Sequence, residues 1–157
     1  MKTVFFAIYL YLLFAGCTAW GGQNNGRVKL GSDYLYSVFV DSSGKRTIEE
    51  IAQLPADNFR PVSGGLSLGY TGKTAWLRFD TPPADWPGNE WWLELSPPFL
   101  DSIQLYEPTA SGWLMRQTGD HFKYSLREFK HRFFLFHLQA KPSLPPKTVY
   151  LSPTGRW

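Results

Sequence analysis

The chain contains a single cysteine, Cys17, among its 157 residues. No disulfide can form within it, so a folded domain must be held by packing alone. No apolar run approaches the roughly 20 residues of a membrane-spanning helix. The longest, "VFFAIYLYLLFA" at 4–15, has about 12, the length of a secretory h-region. There is no block of basic residues either. The formal net charge of +3 comes from scattered Lys and Arg, whereas a nucleic-acid surface needs a concentrated patch. The sequence also lacks a phosphate-cradling glycine loop; "GLSLG" at 65–69 matches Gly-x-Ser-x-Gly but has the wrong flanks for a nucleophile elbow. Three histidines, His121, His131 and His137, show no His-x-x-x-His ligand spacing. No metal or cofactor is therefore expected.

What is abundant points to a β protein. Hydrophobic residues make up 43% of the chain, which argues against disorder. Aromatics reach 17%, and Gly 14 with Pro 12 are spread along the sequence. Many turns and few long helices follow. The N-terminus reads as an export signal, with Lys2 ahead of the apolar run. "LFAGC" resembles a bacterial lipoprotein signal with Cys17 as the lipidated residue, although Phe14 stands where leucine is usual. Cleavage after Ala19 fits as well. Residues 1–19 read as a signal peptide, shortened to 1–16 if lipoprotein-type cleavage falls before Cys17, and 20–31, "WGGQNNGRVKLG", as a flexible lead-in.

From residue 32 to 152 the pattern is a domain. "DYLYSVFVD" alternates like a first strand. "TIEEIAQLP" predicts one short helix over 47–54, with Thr47 as N-cap and Glu50 completing a capping box. Ile48, Ile51 and Leu54 form its apolar stripe, and Pro55 ends it. Two turns are too short to stand alone, so this helix must dock on the main body. Thereafter "TAWLRFD", "EWWLELS", "SIQLYEP", "GWLMRQ", "HRFFLFHLQ" and "KTVYLS" alternate with Pro- and Gly-rich turns. Such spacing predicts an all-β antiparallel sandwich or barrel.

Catalysis has weak support. Asp80, Glu94, Asp101 and Asp120 are available as paired carboxylates for a glycan hydrolase, but nothing in the sequence brings two together. Strand parity is more informative, since successive side chains point to opposite faces. Ala75, Leu77 and Phe79 share one face of "AWLRFD", and Trp76, Arg78 and Asp80 the other. Likewise Ile103 and Leu105 oppose Gln104 and Tyr106, and Trp91, Leu93 and Leu95 oppose Trp92 and Glu94. If these strands are neighbours, Trp76, Arg78, Trp92, Glu94, Gln104 and Tyr106 gather on one aromatic-polar face. Such a face suits a sugar ring or another small polar ligand. The competing reading is a solvated sheet face whose tryptophans pack under loops.

The ordered motifs "DSSGKRTIEEIAQLP", "LGYTGKTAWLRFD", "WWLELSPPFLDSIQLYEP", "TGD" followed by "LREFKHRFFLFHL", and "TVYLS" carry a resemblance. They are similar to the type-2 extracellular sensory domain of bacterial seven-transmembrane receptors with diverse intracellular signalling modules. The resemblance implies a periplasmic β-sandwich of jelly-roll type, similar to carbohydrate-binding modules. It implies a non-catalytic domain that senses a ligand, with sugars favoured, and passes the signal to a membrane-embedded part. The family's motif positions fall on Trp76, Arg78, Asp101 and Tyr106, none with a settled binding role. After "TVYLSPTGRW" the sequence shows no hydrophobic spans and no output module, so the chain reads as a truncated receptor with 153–157 as its tail. A frameshifted product and a stand-alone envelope binder are the alternatives. The expected function is a periplasmic sensor for carbohydrate or a related small polar ligand. The alternative is a lipid-anchored envelope protein whose sandwich binds a partner protein.

Overall fold

The computed structural model describes residues 35–68, 73–81, 91–95, 99–138 and 147–155. The export signal, Cys17 and the whole lead-in at 20–31 lie outside them. Eight strands follow in chain order: β1 (Tyr36–Asp41), β2 (Arg60–Val62), β3 (Thr74–Asp80), β4 (Trp91–Leu95), β5 (Leu100–Thr109), β6 (Gly112–Thr118), β7 (Phe134–Leu138) and β8 (Thr148–Gly155). They form a six-stranded sheet in the order β2-β1-β3-β8-β5-β6 and a two-stranded sheet of β4 and β7, all antiparallel. The chain crosses between sheets before and after β4 and again around β7, as a sandwich requires. The all-β reading therefore holds.

The alternating faces meet as expected. Ala75, Leu77 and Phe79 of β3 lie in the core with Val38, Ile103, Leu105, Val149 and Leu151 of the large sheet. Leu93, Phe134, Phe136 and Leu138 of the small sheet close it from the opposite side. Leu77, Leu151 and Leu105 stand in one cross-strand row. Each fully buried aliphatic or aromatic side chain contributes about 1.5–3 kcal/mol, which replaces the disulfides the chain cannot make.

Two strands differ from the sequence reading. β2 is a three-residue edge strand around Pro61, and the missing N–H of proline hides such a strand from pattern reading. β8 continues through Pro153 to Gly155, three residues past the expected end. Proline is tolerated there because β8 beyond Leu151 pairs on one side only, with β5, where Pro153 stands opposite Ile103.

The helix α1 (Ile48–Ala52) forms where its caps dictate. The Thr47 side chain accepts from the Glu50 N–H at 3.4 Å, and the Glu50 carboxylate accepts from the Thr47 N–H at 3.0 Å. The turn leading into it hangs on Asp41, the buried last residue of β1. Asp41 accepts from the Ser43 hydroxyl at 2.7 Å, the Ser43 N–H at 2.9 Å and the Arg46 N–H at 3.1 Å.

A second polar tie lies inside the sandwich. Register with Leu105 turns Arg116 of β6 toward the core side, where Glu107 is also buried. Arg116 pairs with Glu107 and, at 3.0 Å, with Glu128. The segment 119–133 is thereby fastened beside the small sheet, with the Arg127 guanidinium 4.6 Å from the Phe134 ring centre.

Asp41 gives a pH test. Burial pushes its carboxyl up, but hydrogen bonds from the Ser43 side chain and from backbone N–H groups at Arg46, Ser43 and Gly44 outweigh it. The folded pKa is lowered, so the stabilisation is complete above the unfolded value of about 3.9 and is lost as pH falls through the folded one. Urea midpoints measured between about pH 5 and pH 2 should fall more steeply for the wild type than for Asp41→Asn. Equal slopes would contradict this role.

Candidate functional site

β3 is buried on both faces for much of its length. Outward-facing Trp76 is 3% exposed, beneath Ile48 and Ile51 of α1, together with Phe59 and Tyr150. Its ring lies 5.7 Å from that of Tyr106, while Tyr150 meets Phe59 at 6.1 Å and Trp113 at 5.5 Å. This is a second, aromatic core on the outside of the large sheet. Trp76 Nε1 is buried there without a hydrogen-bond acceptor.

The cover ends one step further along β3. Arg78 is half-buried, with its guanidinium carbon 5.5 Å from the Phe59 ring centre. Its cross-strand partners are Ser37 on β1 and Tyr150 on β8, and Ser37 in turn faces Pro61 on β2. By parity Leu35, Ser37, Pro61, Arg78 and Asp80 all point outward. They line an open cleft of about 260 Å³. Leu35 and Pro61 supply an apolar side, and Ser37, Arg78 and Asp80 the hydrogen-bonding groups. Asp80 is exposed and accepts from the Thr148 hydroxyl at 2.7 Å. Burial pushes the Tyr150 hydroxyl up, while Arg78 acts to lower it and Asp80 to raise it, so both charges bear on one spot.

The six residues expected on one face do not share it. Trp76, Arg78, Gln104 and Tyr106 belong to the large sheet, but Trp92 and Glu94 lie on β4, paired with β7 in the other sheet. The expectation of a single face is corrected for those two, because among the described residues β3 pairs with β1 and β8 while β4 pairs only with β7. Trp92 packs instead on Phe129 at 4.3 Å and His137 at 4.8 Å. Gln104 and Tyr106 form a half-exposed pair, the Tyr106 hydroxyl donating to Gln104 Oε1 at 2.9 Å. Of the expected set, Arg78 alone lines the cleft. Leu35, Ser37 and Pro61 were missed. Only the pairing of β2 and β1 with β3 brings them beside Arg78, and β2 gave no strand signal.

The candidate carboxylates are spread over both sheets. Asp80 and Glu94 are on different sheets. Asp101 lies 3.6 Å from the His121 imidazole, and the exposed Asp120 lies 3.8 Å from the Arg127 guanidinium. Among the described residues no three His, Cys, Asp or Glu side chains gather as metal ligands. No helix among them is long and apolar enough to cross a membrane.

The family model described as 7TMR-DISM extracellular 2 matches residues 35–155. The chain belongs to this family, the second type of extracellular domain of the seven-transmembrane receptors its sequence resembles. No curated protein matches significantly.

Burial sets the expected behaviour of Trp76. Trp76→Ala should cost about 3–5 kcal/mol of unfolding free energy in a denaturant titration, as for other buried aromatics. Trp76→Phe should cost clearly less, since the indole N–H makes no bond that phenylalanine would forfeit. A Trp76→Ala domain of wild-type stability would contradict the second core.

Proposed function

We propose that this extracellular domain is a non-catalytic ligand-binding sensory module of the periplasm, and that a small polar ligand, a carbohydrate, binds in the cleft at Arg78. The observation that carries this reading is the outward cleft itself, where Ser37, Arg78 and Asp80 stand against the apolar Leu35 and Pro61. Sugar rings present hydroxyls at their edge and C–H groups on their faces, so they need both kinds of wall. The space suits one ring rather than an extended chain. Family membership supports the sensory role. Trp76 and Tyr106 serve this site indirectly, by fixing α1, Phe59 and Tyr150 around Arg78. Gln104 and Tyr106 stay available as a flanking polar strip, whereas Trp92 and Glu94 belong to a different surface. After export the domain works in the cell envelope, free or tethered through Cys17, and hands its signal to a membrane-embedded receptor part.

A glycan array probed with the wild-type chain and with Arg78→Ala tests this reading. Wild type should retain a defined set of glycans and Arg78→Ala should lose them while keeping its thermal unfolding transition. Equal binding by both chains, or no glycan held by the wild type, would contradict it.

A further inference from the structure

Three arginines of the described residues are half-buried, and two of them face carboxylates. Arg116 lies 3.0 Å from Glu128 and Arg127 3.8 Å from Asp120. Among the described residues the Arg78 side chain makes no hydrogen bond and no ion pair; its guanidinium lies against the Phe59 ring, with Tyr150 as its cross-strand neighbour. A ring face fixes a guanidinium without neutralising it and leaves its N–H donors unused. Arg78 is therefore a positioned, partly desolvated cation at the edge of an open cleft. The group that best matches its planar fork is a carboxylate, taken through two parallel hydrogen bonds.

The rest of the cleft narrows the ligand further. Asp80, two residues along the same strand face, has one oxygen engaged by the Thr148 hydroxyl at 2.7 Å and can accept from a ligand hydroxyl. A bare inorganic anion would meet the Asp80 charge with nothing to offer it. A ligand holding its carboxylate and its hydroxyls at opposite ends satisfies both residues, and its C–H face can lie on Leu35 and Pro61. We infer that the cleft takes a carboxylated sugar of the hexuronate class, its carboxylate on Arg78 and a ring hydroxyl donated to Asp80. This rests on the saccharide-binding reading above and names the sugar class that site selects.

Calorimetric titration of the purified chain with D-glucuronate, D-glucuronamide and D-glucose tests the inference without altering the protein. Glucuronamide keeps the shape of glucuronate and removes its charge. Glucuronate should bind about tenfold more tightly than glucuronamide or more, the worth of a charge-assisted bidentate pair. Arg78→Gln should abolish that preference, and Arg78→Lys should retain only part of it, because an ammonium keeps the charge but not the fork. If the three sugars bind alike, or if Arg78→Gln keeps the preference, the hexuronate assignment is overturned while the saccharide site stands. If none of the three binds, the hexuronate assignment falls, and the glycan array decides the saccharide reading. Binding of L-glutamate in place of any sugar would likewise overturn the sugar class.

Discussion

The contact between helix α1 and the outer face of β3 sets the terms for the rest of the molecule. A five-residue helix has no stability of its own, so Ile48 and Ile51 must find a buried partner. They find it in Trp76 and Tyr150. The large sheet is consequently covered on both sides, by the small sheet within and by α1 with Phe59 without. Where that outer cover stops, one pair of residues beyond Trp76, the sheet face opens at Arg78. The position of the cleft follows from the length of the helix.

The same contact explains why a strand carries tryptophan, arginine and aspartate on one face. The three side chains meet three environments in succession: an aromatic core at Trp76, a half-covered edge at Arg78 and solvent at Asp80. Their roles divide accordingly. Trp76 holds the cover, Phe59 holds the Arg78 guanidinium, and the charges of Arg78 and Asp80 are left facing the cleft.

Much of the fold was legible in the sequence because its signals are local. The capping box of Thr47 and Glu50 and the alternation of Ala75, Leu77 and Phe79 each report on a few neighbouring residues, and each appears as read. The site was legible only in part, because its assembly is not local. Parity placed Arg78 and Trp92 equally well on a mixed face, yet it carries no information on which sheet a strand joins. Nor does it tell an outward tryptophan in solvent from one beneath a helix 25 residues earlier in the chain. Arg116 was hidden for a related reason: only its register opposite Leu105 puts it on the core side, beside Glu107, which parity with Ile103 and Leu105 already turns inward.

The central claim is that the uncovered end of β3, rather than the broad aromatic face, receives the ligand. Amide chemical shifts of the labelled chain during titration with D-glucuronate test it most directly. The largest changes should fall on Tyr36–Ser37, Arg60, Val62 and Arg78–Asp80, with Trp76 little affected beneath its helix. Changes centred on Gln104–Tyr106 or on Trp92–Glu94 would contradict the account.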